Sequence, residues 1–438
     1  MKFDRRRAAV LGMGASGEAA ARLLHSRGAN VTVFDSGKPE AQRIRLLQDL
    51  GISTIVGEAA ERAKADYEMT ILSPGIDPAV PLVENFRRQG ATFIGELELA
   101  FRFCERPVIA ITGTNGKTTT TQLIESILNG AGHRTVACGN IGLPFAEAVQ
   151  RQAEFDFFTV EVSSFQLETI SSFRPDVAVW LNLSPDHLDR YPNMAEYRTA
   201  KLRIFENQRS IDYAITNYSD DLPGIVATRV TFSAYSNSAD FILDGDTICF
   251  RNEPLLRMAE THLSGIHNAE NLMAALGAAQ ALKVPFEKAK CGLTKYRLPP
   301  HRCEKVGEID GVSFINDSKA TNLDALAKAL ESQPRPIVLI AGGKDKGFEF
   351  DALAGLVHAK VKYAVLIGEM ADRIFQTWSE VAPCSRAKTL QAAIDRARRH
   401  SLPGDVVLFS PGTSSFDMFQ NYADRGNQFR EIIQELAR

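Results

Sequence analysis

The chain has 438 residues, 45% of them hydrophobic, with 50 basic against 53 acidic side chains and a formal net charge of −3. That length exceeds one ordinary domain, and the near balance of charge offers no broad basic field, so neither nucleic acid nor an anionic membrane is expected as a partner. The six cysteines (Cys104, Cys138, Cys249, Cys291, Cys303, Cys384) are scattered with no CxxC. This fits a reduced, cytoplasmic compartment and points to neither a disulfide framework nor a zinc site. The apolar run after the basic start is too short for a signal peptide, and no stretch approaches the roughly 18–20 apolar residues of a membrane span.

In chain order, Ala8 to Leu11 reads as a strand, followed by Gly12, Gly14 and Gly17 in GxGxxG spacing and a helix through His25. A second strand, Val31 to Phe34, ends at Asp35. This is the dinucleotide fingerprint: glycines let the backbone approach a pyrophosphate, and an acid about 20 residues on can hold a ribose hydroxyl. A nicotinamide dehydrogenase or any protein binding a nucleotide diphosphate satisfies it. Ser73-Pro74-Gly75 follows the strand Met69 to Leu72, as a ligand-facing loop or a plain turn.

The most informative stretch is PVIAITGTNGKTTT, Pro107 to Thr120. A buried strand, Val108 to Ile111, breaks at Gly113. A helix begins after Lys117, with Leu123, Ile124, Ile127 and Leu128 at helical spacing. Gly113 and Gly116 let several N–H groups converge on one anion, at the positive end of a helix. Lys117 can reach terminal phosphate oxygens, and the Thr118 hydroxyl can ligate magnesium. Position 111 is isoleucine where the P-loop pattern has glycine, so the loop is the shorter GTNGKT.

Further along, Gly139-Asn140-Ile141-Gly142 is a turn carrying one amide. The strand Phe157 to Val160 leads to Glu161, Ser163, Ser164 and Gln166. The strand Val177 to Leu181 leads to Asn182, Asp186, His187 and Asp189. Strand ends of a parallel sheet face the ligand crevice, so Glu161 and His187 are candidate magnesium ligands beside the phosphates. By composition alone Lys201, in a helix-like run from Met194 to Glu206, is a solvated lysine. Asn268 and Asn271 share one helical face, fit to read a base or ribose or to cap the helix. Pro299-Pro300 is a stiff hinge.

The last part again alternates strands and helices. Its strand ends carry Asn316 to Asn322, Gly342 to Gly347 and Ser410 to Asp417, polar loops suited to a small carboxylate or simply solvated. Taken without the rest, the phosphate loop also allows a nucleotide-driven switch. Polar strand-end loops in all three parts argue instead for two more ligands.

The motifs GTNGKTT (Gly113–Thr119), EVSSFQLE (Glu161–Glu168), SPDHLDRY (Ser184–Tyr191), Ala200-Lys201, HNAEN (His267–Asn271), PHR (Pro300–Arg302) and NDSKATN (Asn316–Asn322) come in an order that resembles the Mur ligases over essentially the whole chain. These are the ATP-dependent amino-acid ligases of peptidoglycan precursor synthesis. The resemblance implies an α/β, three-domain architecture. Residues 1–96 would be a Rossmann-like domain binding a UDP substrate, 97–299 a central P-loop ATPase-type domain, and 300–438 a Rossmann-like domain binding the amino acid. The glycine fingerprint, the compact length and SPGTSSFDMFQNYADRGNQF (Ser410–Phe429) point to the activity that joins D-glutamate to UDP-N-acetylmuramoyl-L-alanine. A sibling activity with another amino acid is the alternative.

Residue by residue, the resemblance places ATP at Gly113, Thr114, Asn115, Gly116, Lys117, Thr118, Thr119, Asn268, Asn271, Arg302 and Asp317. It places the UDP substrate at Gly14, Ala15, Ser16, Asp35, Ser36, Ser73, Asn140 and His187, displacing the dehydrogenase reading. D-glutamate falls to Lys319, Thr321, Lys346, Ser415, Phe416 and Tyr422. Two magnesium ions are implied at Thr118, Glu161, His187 and a carbamylated Lys201. Lys117, Glu161, His187 and Lys201 are the implied catalytic set, in a cytoplasmic monomer serving cell-wall synthesis and hence cell shape and division.

Overall fold

The computed structural model describes residues 6–188, 190–333 and 335–437; Asp189 lies outside them. Three sheets organise the chain. The first joins β1 (Arg7–Leu11), β2 (Asn30–Asp35), β3 (Ser53–Val56), β4 (Met69–Leu72) and β5 (Phe93–Gly95) in the order β3-β2-β1-β4-β5. All neighbours are parallel, the doubly wound arrangement whose strand order reverses at β1. The third glycine of the fingerprint is dictated by packing, because a Cβ on Gly17 would sit 1.9 Å from the Gly12 carbonyl oxygen.

The second sheet comprises β6 (Val108–Thr112), β7 (Thr135–Gly139), β8 (Phe157–Glu161), β9 (Val177–Trp180), β10 (Tyr213–Asn217), β11 (Thr228–Ser233), β12 (Phe241–Asp244), β13 (Thr247–Phe250) and β14 (Glu253–Arg257). Its order is β14-β13-β12-β11-β10-β9-β6-β8-β7. It is parallel from β7 to β12 and ends in an antiparallel meander. β6 is buried throughout because it is covered on both faces, which is why it reads as an unbroken apolar run.

The third sheet comprises β15 (Glu304–Ile309), β16 (Val312–Asn316), β17 (Ile337–Ala341), β18 (Val361–Leu366), β19 (Cys384–Arg386) and β20 (Val406–Phe409), ordered β15-β16-β20-β17-β18-β19. Only β15 runs antiparallel.

By contacts the chain divides into two units. One is Met1–Asn182, Tyr197–Thr261 and Asn268–Tyr296; the other is Leu183–Glu196, His262–His267 and Arg297–Arg438. The first unit therefore holds the first two sheets, which two buried glutamates tie together. Glu98, fully buried on the helix Glu96–Phe103, accepts hydrogen bonds from the backbone N–H groups of Ser171, Ser172 and Phe173, from the Ser172 hydroxyl and from Arg102. Burial opposes its charge, yet the Ser172, Ser171 and Arg102 donors hold the carboxyl below its usual range. Glu96 is buried as deeply but receives one bond, from the Ala146 N–H; its second oxygen has no partner among the described residues. Burial pushes this carboxyl up to about 7. No helix among the described residues is long and apolar enough to cross a membrane.

Two outcomes follow from this packing. A Cβ on Gly292 would lie 2.2 Å from the Ser126 carbonyl oxygen, where the helix Phe286–Lys295 crosses the helix Lys117–Gly130. Gly292→Ala should therefore cost roughly 1–3 kcal/mol in chemical denaturation; an unchanged midpoint would contradict the close crossing. For Glu96, the raised folded value means that its contribution to stability is complete below the unfolded value of 4.5 and is lost as pH rises through about 7. Glu96→Gln should flatten the fall in thermal midpoint between pH 5 and pH 8, and an unaltered slope would show that Glu96 is not the group titrating.

Candidate functional site

Four adjacent strands of the second sheet, β9-β6-β8-β7, end side by side, and their C-terminal loops build the candidate phosphate site. After β6 the loop turns through Gly113 (φ +150°) and Gly116 (φ +86°). A side chain at either is excluded: a Cβ would meet the Leu181 Cβ at 2.9 Å or the Asn271 Oδ1 at 2.3 Å. Asn182, at the end of β9, holds the loop in shape. Its carbonyl accepts from the Thr114 N–H (3.0 Å), its Oδ1 from the Asn115 N–H (2.9 Å), and its amide donates to the Asn115 carbonyl (3.1 Å).

The helix Lys117–Gly130 then starts with Thr118 against the end of β8. The Thr118 hydroxyl donates to Glu161 Oε2 at 2.8 Å, and Asn140 donates to Glu161 Oε1 at 2.9 Å. Glu161 is 2% exposed. A hydroxyl and a carboxylate converging beside a phosphate loop are the hard oxygen donors that suit magnesium, so these residues fit the ion. Thr119 is buried in the same turn.

Lys201 is not the solvated lysine that composition favours. It is 1% exposed, and its Nζ lies 4.7 Å from the centre of the Tyr197 ring. It donates to the Gly113 carbonyl at 2.8 Å, and Lys117 Nζ donates to the same oxygen at 2.9 Å and to the Thr114 carbonyl at 2.9 Å. Two ammonium groups thus share one acceptor. Lys201 gets there because the helix Met194–Leu202 also buries Tyr197, whose hydroxyl meets that of Thr114 at 3.3 Å. Asn268 and Asn271 are both buried. Asn271 donates to Asn268 and accepts from Thr120, which sets the amide pair against the start of the phosphate-loop helix.

The fingerprint turn of the first sheet lies in the same unit. Gly14 and Ala15 are exposed and Ser16 half-buried at the start of the helix Ala15–Ser26, open to a pyrophosphate. Asp35 braces the turn, accepting from the Met13 and Gly37 N–H groups at 2.8 Å each, with Ser36 half-buried between. Ser73 is 6% exposed and donates to the Gly12 carbonyl at 3.3 Å. Asp35 and Ser73 thus both support the turn.

In the second unit, β16, β20 and β17 are neighbours, so the loops Asn316 to Asn322, Ser410 to Asp417 and Gly342 to Gly347 converge. Asp317 is buried, accepting from the Ser410 hydroxyl (2.7 Å) and the Cys303 N–H (3.1 Å); burial raises its carboxyl to about 6. The positive charge of Arg302 acts against that rise, and its buried Nε has no hydrogen-bond partner among the described residues. Burial, with Lys328 and Arg302 adding to it, lowers His267 to about 4 and keeps it neutral. His187 takes a left-handed conformation (φ +56°) with Nε2 3.7 Å from Asp186 Oδ2.

Lys346, a proposed carboxylate holder, is paired with Asp186 at 2.7 Å, and Asn322 donates to the same acid at 3.1 Å. Burial opposes the Asp186 charge, but Lys346 and His187 bring the carboxyl below its ordinary value. Lys319 meets Tyr422; Thr321 is half-buried, Ser415 is 2% exposed and Phe416 67% exposed.

Arg425 was not legible as a site residue. It sits fully buried on the helix Tyr422–Leu436 and donates to the carbonyls of Ser318, Thr413 and Ser414 and to the Ser318 hydroxyl. Burial lowers it to about 9. An arginine on an amphipathic helix gives no local signal of this role. Asn182 and Asp186 had one, since both follow a predicted strand end.

Comparison with known proteins agrees with this architecture. A model of the Mur ligase MurD-like N-terminal domain matches residues 6–95, one of the Mur ligase middle domain matches 111–279, and one of the Mur ligase glutamate ligase domain matches 301–412. Among curated proteins, a UDP-N-acetylmuramoylalanine--D-glutamate ligase of Geotalea uraniireducens is 41% identical over 449 aligned residues, covering 100% of this chain and 99% of that one. A protein of the same name from Geobacter metallireducens is 42% identical with the same coverage. Among solved structures, a UDP-N-acetylmuramate-alanine ligase from Thermotoga maritima superposes with a TM-score of 0.65 at 18% identity, covering 99% of this chain and 100% of that one. A pseudomurein peptide ligase from Methanothermus fervidus gives 0.63 at 19%, with the same coverage; these two show the fold alone. Likeness over the full length, with three domain models in order along it, has one reading: this chain belongs to the Mur ligase family.

Proposed function

We propose that this chain joins D-glutamate to UDP-N-acetylmuramoyl-L-alanine in peptidoglycan precursor synthesis, cleaving ATP to ADP and phosphate. It is an ATP-dependent ligase by family, and its full-length relatives carry that activity in their names. The structural observation that supports it most is the Thr118–Glu161 pair under the phosphate loop, with two lysines at the Gly113 carbonyl.

The reaction needs the alanyl carboxylate to attack the γ-phosphate, giving an acyl phosphate on which the glutamate amine then displaces phosphate. Two anions must meet in the first step, so positive charge is essential. Backbone N–H groups of Gly113 to Thr119 cradle the phosphates. Lys117 leaves the Gly113 and Thr114 carbonyls to meet the terminal phosphate. Thr118, Glu161, His187 and Lys201 hold magnesium in this reading, two ions in all; bound there, the metal supplies Lewis-acid charge.

Lys201 serves as its carbamate. The neutral amine adds carbon dioxide and releases a proton, and the adduct is an anionic ligand beside Lys117. Asn268, Asn271, Arg302 and Asp317 take the rest of the nucleotide. Gly14, Ala15, Ser16, Asp35, Ser36, Ser73, Asn140 and His187 take the UDP substrate, and Lys319, Thr321, Lys346, Ser415, Phe416 and Tyr422 the glutamate. The three-part division at 96 and 299, a cytoplasmic place, a monomeric state and the lack of a nucleic-acid or membrane partner belong to the same reading.

Phosphate release tests it. Release should need UDP-N-acetylmuramoyl-L-alanine and D-glutamate together, and a panel of other amino acids should not replace glutamate. Release with a different amino acid would move the chain to a sibling activity. Lys117→Ala should lower turnover on the order of 10²–10³-fold, the usual loss of one electrostatic contact at a transition state; wild-type turnover would remove Lys117 from the site. Lys201→Ala should abolish turnover with the fold retained by circular dichroism, and acetate should restore part of it. Full activity without acetate would refute the carbamate.

A further inference from the structure

The two lysines of the third sheet's loops differ in what neutralises them. Lys346 has a carboxylate, Asp186, at 2.7 Å. Lys319 forms no ion pair among the described residues. Its Nζ donates to the Tyr422 hydroxyl at 2.9 Å and lies 4.2 Å from the centre of the same ring. A half-buried ammonium on a four-carbon stem has many rotamers and three donors. The phenol oxygen fixes one donor and the ring face attracts the charge, while neither cancels it.

Tyr422 is itself held on both sides. Its carbonyl accepts from the Ser318 hydroxyl at 2.8 Å, one residue before Lys319. Arg425, one turn along the same helix, donates to the Ser318 carbonyl at 2.8 Å and to those of Thr413 and Ser414 at 3.2 Å each. The Lys319 N–H in turn donates to the His301 carbonyl at 3.1 Å. Phenol and lysine are thus fixed to one loop, at a distance that the backbone sets.

We infer that the Tyr422 hydroxyl is a positioning group: it steers the uncompensated Lys319 ammonium into the place where it receives a carboxylate of the acceptor amino acid. This rests on the reading of these loops as the acceptor pocket. It divides the labour between the two lysines, with Lys319 the net cation of the pocket and Lys346 a cation already shared with Asp186. The substrate class this favours is a dicarboxylic amino acid over its neutral amide.

The test is a double-mutant cycle on the full chain, using Tyr422→Phe, Lys319→Met and both together, with D-glutamate and ATP varied separately. Tyr422→Phe keeps the ring and removes one hydrogen bond, worth about a five-fold change. The KM for D-glutamate should rise about that much, and the KM for ATP should not rise with it. In the Lys319→Met background the same substitution should have no effect, because its target is gone. An equal rise in both backgrounds, or no rise in either, overturns the inference. If Lys319→Met, and Lys319→Gln as its polar control, leave the KM for D-glutamate unchanged, the pocket assignment itself fails. A rise from Lys319→Met without any from Tyr422→Phe leaves that assignment standing and removes Tyr422 from it.

Discussion

One carbonyl oxygen, that of Gly113, receives the ammonium groups of both Lys117 and Lys201. Two ammonium groups brought to one acceptor repel each other at short range. Folds tolerate such crowding where it has a use. In the function proposed for the chain, Lys117 moves to a phosphate and Lys201 becomes a carbamate. Gly113 is fixed by Leu181 and Asn182, and Lys201 by a helix anchored through Tyr197.

The two units solve the same problem with different means. In the second sheet, adjacent strand ends bring a threonine hydroxyl, a glutamate and an asparagine together by sheet order alone. In the third sheet the converging loops are longer, and a buried arginine ties them. Arg425 donates to carbonyls of two loops, Ser318 in one and Thr413 and Ser414 in the other. Its position on the helix Tyr422–Leu436 ties that helix to both loops.

Much of this was legible beforehand because the signals are local. β6, the glycine turn and the helix after Lys117 follow from an apolar run, two glycines and helical spacing, and β8 and β9 end where polar residues take over. Parallel-sheet physics then puts Glu161 beside the phosphate loop. What was not legible is long-range or hidden in averages. Asp186 meets Lys346 across 160 residues, and Ser410 meets Asp317 across 93. Lys201 follows an alanine in a short helix, with composition typical of a solvated surface, and only the neighbouring Tyr197 marks the buried face. Asp35 and Ser73 show the converse: residue types suited to a ribose or phosphate here support a turn.

The central claim is that Lys201 is buried in order to become an anion. Carbon-13 NMR of the protein equilibrated with labelled bicarbonate at neutral pH reads this directly. The account predicts a carbamate resonance that is present in the wild type and absent from Lys201→Ala. No such resonance, in protein that turns over normally with bicarbonate removed, would contradict it.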